Sequence, residues 1–580
     1  MRMFLGSALA LAVACGPAMA QQVKVETFRL DNGMEFLLVP RYDQPNSIAA
    51  GWLAKVGSVN ERPGITGISH FFEHMMFKGT KTIGTTDAAA DARFMAKQKS
   101  LRDQINALIW GEQYARAMRG EIDDPWDPAN DTPELKSLRA ELKQAMDDNR
   151  SVIVKDEFDK VYTNLGGSGM NAFTSYDLTF FFITVPSNKL ELWAWMESDR
   201  LNDSVFREFY SERDVVHEER RLRTDSTPTG KYDEQFEAMF WISSPYGWPV
   251  IGWPSDLNSY TREDAERYWN TYYRPNNLVG VLVGDFDPAE AKATIRQYFE
   301  RLQPSAAPPP PVVTLEVPQL SEQRMNAECD CQPQVEVRYH TVPFGHADSF
   351  ALDVMSEVLN GRTGRLYKSM VDGAAIASSA RAQQDSRKYA GAFSFNASVK
   401  GDGTPALLEA GWYKELKRLQ DELVPEHELQ KVKNGLAADN YRRLQSNFFL
   451  MIQLAYAEAL GGWESINDFP PRLQAVTAED IQRVARKYFD ASNRSVATYN
   501  RKAGTAPVDP ELAAMDPQAQ AMVKQAMTRL AAETDLERLK MIEGQMNAQA
   551  AQAPPAFKPA VDYLLKKVRE RIAQLEAANP

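Results

Sequence analysis

The stretch Gly67-Ile68-Ser69-His70-Phe71-Phe72-Glu73-His74-Met75-Met76-Phe77-Lys78-Gly79-Thr80 governs the reading of this chain. Its apolar spacing predicts a helix from about Ile68 to Phe77, entered after the break at Pro63-Gly64-Ile65-Thr66-Gly67. Residues four apart share a helix face, so His70 and His74 present two imidazoles that can reach one zinc ion at about 2.0 to 2.1 Å. Glu73 stands beside them in the order H-x-x-E-H, where the carboxylate precedes the second His and can take a proton from an activated water. The chain has only 6 His, and His217, His340, His346 and His427 have no comparable surroundings.

Two imidazoles are too few for a catalytic zinc, which takes about three protein ligands and keeps a fourth position open. A carboxylate is needed from elsewhere. Glu212-Arg213-Asp214-Val215-Val216-His217-Glu218-Glu219 offers several, and its helical spacing puts Glu212 and Glu219 on one face two turns apart. Spacing alone does not choose between Glu218 and Glu219.

Outward from these segments, Asp31-Asn32-Gly33 between apolar alternations predicts a hairpin over Phe28 to Val39 with a tight primed turn. Residues 87–160 turn to Ala, Lys, Arg, Glu and Gln with helical spacing, a helical insert broken at Asp123-Asp124-Pro125-Trp126-Asp127-Pro128. Met170 to Val185 reads as a strand pair. The proline run in 304–315 marks a linker between a first domain, 21–303, and a second, 316–503. Across it, Leu257, Thr261, Glu263, Asp264, Arg267, Tyr272 and Asn277 recur 216 positions later as Leu473, Thr477, Glu479, Asp480, Arg483, Tyr488 and Asn493. A constant offset without gaps predicts a duplicated helix-then-strand unit. Residues 504–580 read as a helical tail.

A chain of 580 residues is long enough for at least two cores, and 44% hydrophobic with 25% charged residues is an ordinary globular balance. The net charge of -12 argues against a nucleic-acid surface. Residues 1–20 read as a secretory signal, with Arg2, an apolar run from Phe4 to Ala14 and Ala18-Met19-Ala20 for cleavage, and the run is too short to span a bilayer. Export to a bacterial periplasm is expected, with no membrane span in the mature chain. Cys329 and Cys331, one residue apart, cannot fill a tetrahedral metal shell alone and read as a local disulfide or an incidental pair.

Asn32-Gly33, Val56-Gly57-Ser58, the His70 to His74 motif, Phe77-Lys78-Gly79-Thr80, Gly166-Gly167, Asn171-Ala172-Phe173-Thr174 and Glu212 to Glu219 resemble, in order, the catalytic half of the pitrilysin/insulinase peptidases. Tyr273-Arg274-Pro275-Asn276-Asn277 continues the resemblance, and Gly364-Arg365-Leu366-Tyr367 resembles the family's second half. The resemblance implies an α+β fold of two homologous halves, each an antiparallel sheet flanked by helices, facing one another across a chamber. It implies one zinc per chain, held by His70, His74 and Glu219, with Glu73 as general base and Glu212 supporting the site. It also places Asn171, Ala172 and Phe173 on an edge strand that pairs with an extended substrate.

Two departures stand out. The insert roughly doubles the usual span between His74 and Glu219, at a closure cost of only about 0.6 kcal/mol. In the second half, Val371 and Ser378 stand where the family carries a substrate-binding Arg and Tyr, and Arg381 and Tyr389 fall out of register. The expected activity is that of a zinc endopeptidase acting on peptides or short unfolded chains. The substitutions point to a homologous subunit that supplies the missing Arg and Tyr, or to a homodimer. The rival reading is a non-catalytic peptide-binding or assembly subunit that keeps the fold.

Overall fold

The computed structural model describes residues 22–502, 509–533, 535–550, 553 and 557–578, so the signal-like segment lies outside the described residues. A six-stranded sheet runs in the order β1-β2-β6-β3-β5-β4, from Glu26–Arg29 (β1), Glu35–Pro40 (β2), Ile48–Ala54 (β3), Ser168–Thr174 (β4), Thr179–Val185 (β5) and Leu278–Gly284 (β6). A five-stranded sheet runs β7-β11-β8-β10-β9, from Gln323–Cys329 (β7), Gln334–Thr341 (β8), Ala377–Ser386 (β9), Gly391–Val399 (β10) and Arg494–Arg501 (β11). Apart from β1, the two sheets share one topology, in which the last strand of each half enters between the first two.

That insertion makes β2·β6 and β7·β11 parallel while the other pairings are antiparallel. The expectation of antiparallel sheets thus holds with one exception in each. Apolar patterning reports which face of a strand is buried and carries nothing about its direction.

The repeated residues do the same work twice. Thr261 and Asp264 form a capping box at the start of helix Arg262–Tyr272, and Thr477 and Asp480 form one at helix Ala478–Tyr488. Asn277 Nδ2 donates to Tyr272 O at 2.9 Å and Asn493 Nδ2 to Tyr488 O at 2.7 Å, closing each helix before it turns into β6 or β11.

The β1–β2 hairpin forms, but its turn is not a primed one, because only Gly33, with φ 90°, takes positive φ there. Asn32 keeps ordinary φ and spends its side chain instead. Its Nδ2 donates to Phe299 O and Leu302 O, at 2.8 and 3.1 Å, anchoring the end of helix Pro288–Phe299.

One face of the first sheet, through Phe36, Trp52 and Phe181, packs on Phe71, Phe72 and the flanking helices. The opposite face, through Leu37, Leu53, Phe180 and Val281, is covered by Leu450, Met451 and Leu454 of helix Asn447–Leu460 from the second half. β3 and β6 are therefore buried on both faces, as their unbroken apolar runs require. The insert folds as helices Ala88–Leu108 and Pro133–Asn149 packed together through Leu101, Ile105, Leu135 and Leu142, followed by helix Glu157–Asn164. Cys329 and Cys331 are joined as a disulfide. The short helix Pro510–Ala513 and helices Pro517–Ala532, Leu536–Ala550 and Lys558–Ala578 lie in the described tail, and no helix among the described residues is long and apolar enough to cross a membrane.

Candidate metal centre

Helix Ile68–Met75 begins at Gly67, whose φ of 87° and close approach to Ile251 O, 2.4 Å from where a Cβ would stand, leave room only for glycine. Glu61 caps it, its two carboxylate oxygens accepting from Gly67 N and Ser69 N at 2.8 Å each. Burial pushes the Glu61 carboxyl up to about 8, against the pull of these bonds. Phe71, Phe72 and Met75 enter the core. The remaining face carries His70, Glu73 and His74 into a cavity of about 1220 Å³.

Helix Phe209–Arg220 brings the carboxylates to that face. His74 Nε2 lies 3.2 Å and His70 Nε2 3.6 Å from Glu219 Oε2, and one ligand atom from each of the three side chains lies within 4.8 Å of the others. Glu218, one residue away and turned by about 100°, is exposed and pairs with Arg221. Glu212 Oε1 sits 2.9 Å from His74 Nδ1, and its other oxygen meets Lys78 Nζ at 2.5 Å. Thr174 Oγ1 donates to Glu73 Oε2 at 2.6 Å.

The charges explain what such a cluster attracts. Burial holds His70 down at about 4. For His74 burial acts the same way, but Glu212 and Glu219 overcome it and lift the imidazole to about 9. Burial alone would raise Glu212 and Glu219, yet their cationic partners leave both below the usual range, while burial raises Glu73. Two imidazoles and the Glu219 carboxylate thus offer N and O donors within 4.8 Å of one another, and that donor set fits a zinc ion with one position left open.

The predicted edge strand is the last strand of its sheet: β4 pairs with β5 alone. Asn171, Ala172 and Phe173 line the same cavity as His70, Glu73 and His74. Phe173 also stacks on Tyr456 of the second half at 5.2 Å. Every residue lining this cavity belongs to the first half; Val371, Ser378, Arg381 and Tyr389 take no part in it. Sequence reasoning missed Thr174 as the partner of Glu73 and missed the wall that the insert supplies through Ile153, Val154 and Phe158. The charged residues of the same stretch, Arg150, Lys155, Asp156 and Glu157, also line the cavity but form no motif, so only the fold reveals that wall.

Glu212→Gln is expected to retain zinc and lower turnover, because the amide cannot carry the charge that orients and polarises the His74 ring. Changes of this outer kind cost about 10 to 100-fold in metal affinity or activity. Metal analysis beside a cleavage assay checks it, and unchanged turnover would remove Glu212 from the site.

A model described as insulinase (peptidase family M16) matches residues 39–93, and one described as peptidase M16 inactive domain matches 259–436. The zinc protease PqqE of Helicobacter pylori is 27% identical over 501 residues, spanning 84% of this chain and 95% of that protein. Both halves of this chain are similar to the pitrilysin/insulinase family. The uncharacterized zinc protease YmxG of Bacillus subtilis is 21% identical over 470 residues, spanning 80% of the chain and 96% of the relative. A crystal structure of a protease from Helicobacter pylori shares the fold with TM-score 0.67 and 24% identity, covering 82% of this chain and 99% of that one. The periplasmic protease PqqL from Escherichia coli does so with TM-score 0.59 and 17% identity, and this chain covers 50% of it.

Proposed function

We propose that this chain is a zinc-dependent endopeptidase that hydrolyses peptides or short unfolded polypeptides. The observation that carries the reading is the convergence of His70, His74 and Glu219 within 4.8 Å, in a cavity that β4 also lines. These three residues would hold one zinc ion per chain. Bound there, zinc supplies Lewis acidity to the substrate carbonyl and lowers the pKa of a water toward about 7. Glu73 accepts the proton of the attacking water and returns it to the leaving amine. Thr174 holds the Glu73 carboxylate in place, and Glu212 fixes the His74 ring through Nδ1. An extended substrate adds to the open edge of β4 along Asn171, Ala172 and Phe173, its backbone pairing as a further strand.

The domain division at 304–315 accords with the strand content of the two sheets, and residues 303–320 run without helix or strand. Export is supported by the signal-like residues 1–20 and by the periplasmic description of PqqL. Because the second half leaves this cavity open and carries Val371 and Ser378, closure into a chamber and the missing Arg and Tyr contacts fall to a second subunit, homologous or identical. A Val cannot donate the charge-assisted hydrogen bonds of an Arg, and a Ser is too short to stand in for a Tyr hydroxyl.

Size-exclusion chromatography with every fraction assayed on an unfolded peptide tests both parts. Chelator-sensitive cleavage concentrated in an assembled fraction is expected, with little in the lone chain. Full turnover by the lone chain, undiminished on dilution, would remove the need for a partner. Zinc-loaded fractions that all fail to cleave, with the partner present, would favour a non-catalytic peptide-binding subunit.

A further inference from the structure

Arg207 lies in the connection between helix Leu190–Asn202 and helix Phe209–Arg220, and its side chain is 1% exposed. Its neighbours Phe206 and Glu208 both take left-handed backbone, with φ of 49° and 57°, a conformation uncommon for residues with side chains. The bent connection turns the guanidinium inward, where every nitrogen finds an acceptor. Nε donates to Asp91 Oδ2 at 2.8 Å, Nη1 to Lys78 O at 2.7 Å and Ile83 O at 3.1 Å, and Nη2 to Thr80 O at 2.9 Å.

These acceptors come from two places. Lys78, Thr80 and Ile83 belong to the loop that leaves helix Ile68–Met75, and that loop is cut to receive the guanidinium. A Cβ on Gly79 would stand 3.2 Å, and one on Gly84 2.6 Å, from Nη1. Asp91 belongs to the first turn of the insert. Its other oxygen accepts from Asn149 Nδ2 at 2.9 Å, and Asn149 Oδ1 accepts from Gln98 Nε2 at 3.1 Å, so both long helices of the insert hold the carboxylate.

The chain of contacts continues to the metal centre. Arg207 fixes the backbone of Lys78, the Lys78 ammonium reaches Glu212 at 2.5 Å, and Glu212 meets His74 Nδ1 at 2.9 Å. We infer that Arg207 is a positioning residue for the metal centre, locking the exit of the His70–His74 helix to the entry of the Glu212–Glu219 helix, and that the helical insert is its anchor. The inference rests on the zinc reading above. It gives the insert a task inside the site, although the insert contributes no ligand.

Arg207→Lys keeps a charge opposite Asp91 but loses the planar fork that reaches three carbonyls. Asn149→Ala leaves the Arg207–Asp91 pair whole and loosens only its anchor. Both are made in the full chain, stripped of metal, and titrated with zinc against a chromophoric chelator; the cobalt form gives the d–d spectrum as a second readout. For folded Arg207→Lys, zinc affinity about tenfold lower is expected, at the low end of outer-shell effects, with altered cobalt bands. Asn149→Ala should shift both readouts less, in the same direction. A merely structural residue would lower the melting temperature and move neither. Folded Arg207→Lys with wild-type affinity and spectrum overturns the inference; should that variant not fold, Asn149→Ala decides by the same criteria. A wild-type chain that binds no zinc sinks the zinc reading and this inference together, whereas zinc-binding wild type with unaffected variants sinks the inference alone.

Discussion

Glu73→Gln is expected to leave zinc binding unchanged and to lower peptide cleavage by roughly 10² to 10⁴-fold, the usual contribution of a positioned general base. The side chain is not among the three that converge, so metal content has no reason to fall. Nor does the local geometry: the glutamine carbonyl can still accept from Thr174 Oγ1, which stands 2.6 Å from Glu73 Oε2, and the substitution keeps volume and helix propensity. What disappears is the ability to take a proton from the attacking water and hand it on. A large loss with zinc retained therefore reports chemistry. Cleavage close to wild type would take the base assignment away from Glu73.

Glu219→Gln is expected to weaken zinc binding by more than the roughly 10 to 100-fold of an outer-shell change, while Glu218→Gln leaves it as it was. Glu219 Oε2 faces both imidazoles, and Glu219 Oε1 is held by Arg223 Nη1 at 2.7 Å. The Glu218 carboxylate lies at the surface with Arg221. A neutral amide in place of Glu219 removes the charge that balances a divalent cation in a partly buried pocket. Equal zinc retention by the two variants, measured by chelator competition, would undo the choice between them.

The metal helix was legible because two scarce His and a Glu fell on a helical period, and the duplication because seven residues kept one offset. Glu219 over Glu218 came from resemblance; the residues alone left it open, since adjacent positions differ only by a rotation that depends on where the helix sits. The Asn-Gly pattern points to the backbone of Asn32, yet the structure uses its side-chain amide to hold helix Pro288–Phe299. Arg207 was invisible in principle, because its partners are carbonyls and one Asp lying 116 to 129 residues away. Backbone acceptors leave no mark in a residue pattern, and a lone Arg in an acidic helix entry looks like any solvated charge. The parallel pairs were hidden for a related reason: period-two burial is the same in either direction.

The most direct test of the central claim is a zinc titration of the metal-stripped wild-type chain, in its native assembly, followed by the initial rate of cleavage of an unfolded peptide. The rate is expected to rise in proportion to added zinc, to level off at one ion per chain, and to stay near zero throughout for Glu219→Gln. A rate indifferent to zinc, or one that Glu219→Gln reproduces, would contradict the assignment of peptidase activity to His70, His74 and Glu219.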